Sequence, residues 1–259
     1  MAWLGSRIHL AIERSPTAWT YVAARHDRRR DPELVAAASF DMASVSLSDD
    51  LRRARTRESL PSGAALVLWP EPDDDGVAGL DTRARATVVL PKAHVIRQRV
   101  APFVRAGGHV REVLLPHEAV AYLAARAGWA SACVVVIEAT MVCVSTVEEG
   151  RVDASYLTWS VEAPGETETS RLLARYQFAA RLVPHLHAAA GRVPQAPVAV
   201  CGRLPDLRSA MVPIMEEFDR EVEVLDAALV GPASADQPSV VGPDQICEWQ
   251  LAWSVATNH

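Results

Sequence analysis

The sequence predicts an α/β protein made of two similar lobes, each a mixed sheet with flanking helices. Strand-like alternation and helix-like periodicity follow one another along most of the 259 residues. Each half opens with alternating apolar strands joined by tight turns and ends in alternating helices and strands. We therefore expect a first lobe at residues 1–127 and a second lobe at residues 128–242. A C-terminal helix at residues 243–259 is expected to pack back on the first lobe or to bridge both.

The first half begins with a predicted hairpin. Ile8, Leu10 and Ile12 alternate with polar or small residues, and Ser15-Pro16-Thr17 supplies the turn before the alternation resumes at Trp19. Further strands are predicted at residues 34–40, 64–69, 86–90 and 110–115, with helices at residues 51–60, 91–106 and 116–127 and a loop at residues 71–76. Pro102 lies inside the helix predicted at residues 91–106 and argues against that helix being straight.

The second half repeats this order. Two apolar stretches at residues 132–147 and 151–161 are separated by Glu148-Glu149-Gly150, which is a hairpin turn signal. The helix predicted at residues 169–190 carries an apolar stripe, and Pro184 is expected to bend it. A strand turning at Gly202 leads to a helix that Pro213 should break or kink. The helix at residues 169–190 has the stripe Leu172, Tyr176, Ala179, Val183 and Leu186. The helix after Gly202 has an apolar stripe as well, made of Leu207, Met211, Ile214, Met215 and Phe218. A strand at residues 221–227, a loop at residues 231–242 and a helix carrying Ile246, Trp249 and Trp253 complete the chain.

Composition excludes several classes of protein. With 26 basic against 32 acidic residues the net charge is −6, so the chain lacks the positive excess of a nucleic-acid binder. No secretory signal and no apolar run long enough to cross a bilayer is visible, which predicts a cytoplasmic location without direct membrane insertion. The four cysteines are scattered and are expected to be buried reduced thiols.

No motif predicts a metal site, a cofactor or a catalytic nucleophile. His117-Glu118 begins like a zinc-protease helix, but Ala121 occupies the position of the second histidine. His185 and His187 face different sides of a helix and are expected to be surface residues. The run Asp73-Asp74-Asp75 lacks the alternating spacing of a calcium loop and is expected to be a solvated loop.

Three segments carry a resemblance to a known superfamily: residues 110–124, 134–152 and 198–226. Their order resembles that of the actin and sugar-kinase superfamily, which has a two-lobed actin-like (ribonuclease H-like) fold. Within it, the chain looks most similar to the type IV pilus assembly protein PilM and to the cytoplasmic domain of the type II secretion protein GspL. The resemblance implies two phosphate-binding hairpins and an adenosine-binding turn.

The chain departs from the superfamily at these sites. Nucleotide-binding members have an Asp, one intervening residue and a Gly in each hairpin, but here these positions are Ala11 and Glu13, then Val136 and Glu138 beside Thr140. The paired glycines of the adenosine turn become Gly202 and Arg203.

A carboxylate at roughly 4 Å from a phosphate would be repelled by about 4 kcal/mol at an effective dielectric of about 20. Each 1.4 kcal/mol is about tenfold in affinity, so the two changes predict a pseudo-ATPase without cofactor. Two alternatives stay open. The first hairpin is out of register and Glu13 lies on the surface, or the chain is an active ATPase or small-molecule kinase with altered phosphate loops.

The resemblance also implies partners. PilM-like proteins bind a short cytoplasmic segment of a membrane-anchored protein and connect it to a motor ATPase, which implies a peripheral position at the inner membrane. We expect docking on the first lobe. Arg52, Arg53, Arg55 and Arg57 are either a solvated helix face or part of a surface for an acidic partner.

Overall fold

The computed structural model describes residues 7–27, 30–42, 47–70, 93–138, 140–158, 168–203, 207–225 and 243–258. The strands are β1 (Arg7–Arg14), β2 (Ala18–Asp27), β3 (Arg30–Asp41), β4 (Gly63–Leu68), β5 (His109–Leu114), β6 (Ser131–Ile137), β7 (Met141–Glu148), β8 (Arg151–Thr158), β9 (Val198–Gly202) and β10 (Val222–Val224). The helices are α1 (Leu47–Arg57), α2 (Ala93–Arg105), α3 (Pro116–Arg126), α4 (Glu168–Ala190), α5 (Leu207–Glu217) and α6 (Pro243–Ala256).

The two halves form sheets of the same topology. The first sheet has the order β3-β2-β1-β4-β5 and the second has the order β10-β9-β6-β7-β8, so each runs from a three-stranded antiparallel meander into two parallel strands. The repeated element order predicted from the sequence is therefore confirmed as a repeated strand order, and the α/β class is confirmed with it.

The turn between β7 and β8 shows why the local sequence dictates this arrangement. Glu149 and Gly150 have positive φ angles of 48° and 79°. Two consecutive positive φ angles match the type I′ turn, whose twist suits a two-residue hairpin. The hairpin signal at Glu148-Glu149-Gly150 is confirmed.

Each sheet has an outer face covered by helices of its own half. Leu51 of α1 and Phe103 of α2 pack with Leu10 and Ile12 on the outer face of the first sheet. Phe178 and Leu182 of α4 pack similarly on the second sheet, together with α5. The alternating side chains of each strand leave the opposite, inner faces for contact between the halves.

The inner faces share one apolar cluster, which we call the inter-sheet core. It includes Ala11 and Val67 of the first sheet, Val136 and Cys201 of the second, and residues of α3 and α6. Helix α3, which ends the first half, contacts β7 and β8 of the second sheet, whereas α6 contacts β1, β2 and β4 of the first sheet as well as β9. The division into lobes at residue 127 and a separate C-terminal helix stays a prediction.

Trp253 of the C-terminal helix lies in the inter-sheet core. Trp253 is buried, and the Arg126 guanidinium lies 5.4 Å from the centre of its ring, over the ring face. The side chain of Trp249 lies outside the described residues. Cys133, Cys143 and Cys201 are buried free thiols, as predicted, and burial raises the pKa of Cys133 and of Cys143 to about 11.

The helix predictions need correction in two respects. Helix α5 runs unbroken from Leu207 to Glu217, so the break predicted at Pro213 is wrong, while the kink stays a prediction. A proline inside a helix costs about 3 kcal/mol through the lost hydrogen bond and the ring clash. Burial of Ile214 and Phe218, at about 1.5–3 kcal/mol each, can offset this cost. The apolar stripes of α4 and α5 are buried only in part, since Tyr176 and Met215 are exposed.

Several predictions fall on residues that the structure does not describe. These are the strand at residues 86–90, the loops at residues 71–76 and 231–242, and with the first of these loops the acidic run at residues 73–75.

Candidate functional site

The predicted site residues lie at the carboxyl ends of the central parallel strands. Glu13 is near the end of β1 and Glu138 directly follows β6. Arg203 directly follows β9, the parallel neighbour of β6, and Trp69 directly follows β4, the parallel neighbour of β1. In sheets with parallel strands, ligands bind at the carboxyl ends of these strands. The structure therefore places both hairpins at equivalent edges of the two sheets.

Both glutamates point into the interior between the sheets. Ala11 belongs to the inter-sheet core, and alternation along β1 puts Glu13 on the same face. Val136 likewise puts Glu138 on the inner face of the second sheet. Glu13 is 2% exposed and Glu138 is 1% exposed. The alternative in which Glu13 is a surface residue is therefore wrong.

Glu13 is held by a tryptophan of its own lobe. The indole Nε1 of Trp69 donates a hydrogen bond of 2.7 Å to Oε1 of Glu13. The backbone of Trp69 is fixed as well, because its N–H donates to the carbonyl of Arg14 at 3.0 Å. The Trp69 ring also meets the ring of Tyr156 from β8 edge-on, with centroids 6.4 Å apart. The first hairpin is thus tied through one side chain to the opposite lobe.

Glu138 is held by an arginine. Nε of Arg203 lies 3.1 Å from Oε1 of Glu138, and the two side chains are 8% and 1% exposed. Nη1 of Arg203 also lies 3.5 Å from Oγ of Ser39 on β3. Ser39 in turn is 2.9 Å from Oγ1 of Thr20, the residue opposite Glu13 in the β1–β2 pairing. Polar contacts therefore run from the second hairpin to the first sheet.

Gly202 has a steric role that sets the position of Arg203. Its φ is +128°, and a Cβ atom built there would lie 2.0 Å from the carbonyl oxygen of Ile137. The N–H of Arg203 donates to the same carbonyl at 2.7 Å. Only glycine allows β9 to approach β6 this closely. The approach places Arg203 beside Glu138.

Backbone amides at the first turn are already bonded within the chain. The hydroxyl of Ser15 accepts hydrogen bonds from the N–H groups of Thr17 at 3.4 Å and Ala18 at 3.1 Å. In the second turn the N–H of Glu138 donates to the carbonyl of Met141 at 2.8 Å, while Thr140 is exposed. The N–H groups of Thr17, Ala18 and Glu138 are therefore satisfied by the protein.

The sequence alone gave no role to Trp69 or Tyr156. Tyr156 is buried, and desolvation raises the pKa of its phenol well above the ordinary value. Its hydroxyl oxygen lies 2.9 Å from Nδ1 of His117, and burial lowers the pKa of that histidine. The described residues contain no group of three or more metal-binding side chains. The available signal for Trp69 was its place at the end of a buried strand.

The arginines of α1 divide into two pairs. Arg52 and Arg55 donate to the backbone carbonyls of Arg105 and Ala106, at 3.0 and 2.6 Å, and so attach α1 to the end of α2. The side chains of Arg53 and Arg57 are 74% and 76% exposed and pair with acidic neighbours on their own segment. Arg53 and Arg57 are the most exposed of the four, while Arg52, whose side chain is 58% exposed, also pairs with Asp49.

This arrangement of two mixed sheets, paired hairpins and exchanged helices is the two-lobed actin-like fold, as the sequence predicted. A chain of the PilM–PilN type IV pilus biogenesis complex superposes with a TM-score of 0.67 at 12% identity, covering 96% of this chain and 97% of that one. The ethanolamine utilization protein EutJ from Carboxydothermus hydrogenoformans gives a TM-score of 0.61 at 12% identity, covering 99% and 91%. Component A of (R)-2-hydroxyglutaryl-CoA dehydratase from Acidaminococcus fermentans gives 0.56 at 10% identity, covering 96% of each chain.

No protein-family model matches the chain, and no curated protein matches its sequence. The structural likenesses therefore establish the fold. Among the helices in the described parts of the chain, none has the length and apolarity that crossing a membrane requires.

Removing one partner of the buried Glu138–Arg203 pair should be strongly destabilising. Arg203→Ala would leave a buried carboxylate without its cation, and we expect a loss of about 3–5 kcal/mol in the free energy of unfolding. The double variant Glu138→Met with Arg203→Met should recover most of this loss, because it removes both charges. Urea denaturation measures each value. As a control, Arg53→Ala removes an exposed ion pair and should cost under about 1 kcal/mol; an equally small cost for Arg203→Ala would contradict the assignment.

Gly202→Ala should be more damaging than a typical glycine substitution. The added methyl group would collide with the backbone of Ile137, so we expect a fall in melting temperature or a loss of folded protein. Gly128→Ala is the matched control, because Gly128 also has a positive φ of +73° but has no atom within 4 Å of the added Cβ. The control should cost about 1 kcal/mol from backbone strain alone. Equal effects of the two substitutions would argue against the close approach.

Proposed function

We propose that this protein is a non-catalytic actin-like scaffold, a pseudo-ATPase that holds components of an envelope assembly together. The observation that carries the proposal is the burial of Glu13 and Glu138 at the two hairpins, each fixed by a partner from the same chain. These positions correspond, by the resemblance stated above, to glycines in nucleotide-binding relatives.

The energetic cost of binding a nucleotide supports this proposal. A triphosphate entering between the hairpins would approach two carboxylates, each repelling a phosphate charge by about 4 kcal/mol at roughly 4 Å and a dielectric of about 20. Binding would also require Arg203 to leave Glu138 or to bridge both anions. With Arg203 displaced, the two repulsions total about 8 kcal/mol, which is comparable to the roughly 8 kcal/mol that corresponds to micromolar affinity.

The proposed cellular role follows from the likeness to PilM. The PilM–PilN complex is a type IV pilus biogenesis complex. We propose that this chain likewise binds a short cytoplasmic segment of a membrane-anchored pilus or secretion protein and links it to other components such as a motor ATPase. It would then lie in the cytoplasm, peripheral at the inner membrane. The first lobe is the proposed docking region, with Arg53 and Arg57 as its exposed cations.

Nucleotide titration tests the pseudo-ATPase. We expect no binding heat with Mg-ATP at concentrations up to about 1 mM. A dissociation constant of about 1 mM corresponds to a binding free energy of about 4 kcal/mol, so any binding should be weaker than this. The double variant Glu13→Gly with Glu138→Gly, checked for folding by its melting temperature, shows whether the carboxylates are the obstacle. Micromolar binding by the wild-type protein would overturn the proposal and favour an active ATPase or small-molecule kinase.

Crosslinking in the native cell tests the scaffold role independently. We expect the tagged protein to recover a single-span membrane protein whose crosslinks map to its cytoplasmic segment and to the first lobe. Arg53→Glu with Arg57→Glu should weaken this crosslink if the exposed arginines contribute. The proposal would be contradicted if the tagged chain is folded and abundant but no integral membrane protein is recovered with it.

A further inference from the structure

The second lobe exposes large apolar side chains on two neighbouring helices. We call this surface the α4–α5 patch. Its members are Leu172 (49% exposed), Leu173 (58%), Tyr176 (38%), Val212 (53%) and Met215 (52%). Isolated exposed apolar residues are ordinary, whereas a contiguous group on one face is typical of an interaction site.

The five side chains are neighbours in space. Leu172 and Tyr176 are four residues apart on α4 and share a helix face, as Val212 and Glu216 do on α5. The hydroxyl of Tyr176 donates a hydrogen bond of 2.8 Å to Oε2 of Glu216, which joins the two faces. Because α4 leads into β9 and α5 connects β9 to the parallel β10, the two helices run in the same direction. Leu172 therefore lies at the level of Val212, one turn before the contact between Tyr176 and Glu216.

Packing within the lobe does not require these side chains. The buried cluster on this side of the second sheet uses Phe178, Leu182 and Leu186 of α4 with Ile214 and Phe218 of α5. None of the five patch residues belongs to it. The apolar stripes of both helices therefore continue past the core into solvent.

The charge beside the patch is acidic. Glu216, Glu217, Asp219 and Glu221 are exposed at and just beyond the end of α5. Arg220, the basic residue among them, turns inward and donates to the backbone carbonyls of Ala190 and Val193, at 3.0 and 3.5 Å, and of Ala196. The rim on the α5 side is thus negative around an apolar centre.

We propose that the α4–α5 patch is a docking surface for an amphipathic helix of a partner protein, with lysine or arginine residues flanking its apolar stripe. A helix lying across the exposed faces of α4 and α5 would bury the five apolar side chains, and its cations would face the acidic rim. The surface is on the lobe opposite the proposed first-lobe docking region. The inference is independent of whether the chain binds nucleotide.

A designed peptide tests the proposal directly. The probe is a fluorescent amphipathic helix of about 18 residues, or five turns, with leucines at helical spacing and lysines beside them. One comparison peptide replaces lysine by glutamate, and another has the same composition without the apolar periodicity. Fluorescence anisotropy against the full-length protein should show saturable, salt-sensitive binding of the lysine peptide alone.

Surface variants locate the binding. Leu173→Asp and Met215→Asp should each weaken binding at least about tenfold, a change of about 1.4 kcal/mol. Glu217→Lys with Glu221→Lys should weaken it and reduce its salt dependence. Val104→Asp is the matched control, because Val104 is equally exposed at 52% but lies on α2 in the first lobe; it should leave binding unchanged. All of these positions are exposed, so the variants should keep the wild-type melting temperature.

Three results would overturn the proposal. The first is the absence of saturable peptide binding, and the second is equal binding by the wild-type protein and the patch variants. The third is a concentration-dependent dimer, seen by sedimentation, that Met215→Asp abolishes and Val104→Asp does not. In that case a second copy of this chain covers the patch.

Discussion

A carboxylate withdrawn from water is costly unless a cation or hydrogen-bond donors compensate it, and this constraint governs the edge where the two sheets meet. The charge of Glu138 is compensated by the guanidinium of Arg203, and Glu13 accepts a hydrogen bond from the indole N–H of Trp69. Both compensating groups come from the ends of neighbouring parallel strands. Because each carboxylate needs its partner, the ends of four strands are held in fixed relative positions.

The repeated topology explains why these strand ends meet. Each half contributes an antiparallel meander and two parallel strands, and each ends in a helix that contacts the other sheet. Exchange of α3 and α6 buries the inner faces in one apolar cluster. The contact of Trp69 with Tyr156 continues this cluster towards the hairpins. Apolar packing and polar compensation therefore close the same region, which in a nucleotide-binding relative would contain the ligand.

Sequence periodicity predicted the hairpins and the order of most elements, because these depend on residues close together in the chain. The inward direction of Glu138 followed from the resemblance to the actin and sugar-kinase superfamily. Periodicity could not predict that Trp69 donates a hydrogen bond to Glu13 or that Arg203 forms an ion pair with Glu138. Both pairs form only after distant strands become neighbours. Periodicity also overestimated the burial of Tyr176 and Met215. An apolar stripe indicates a helix face that avoids water, but its period does not show how far the sheet beneath the helix extends.

Gly202 and Glu138 carry different information about nucleotide binding. The close approach of β9 to β6 demands glycine at position 202 whatever occupies the space between the lobes, because any Cβ would collide with the Ile137 backbone. Retention of this glycine is therefore no sign of retained ATP binding. Position 138 has no such steric requirement from the strands, yet it carries a buried charge with a dedicated cation. Under the proposed function, the buried charge at position 138, and not the turn at Gly202, is therefore the feature that argues against nucleotide binding.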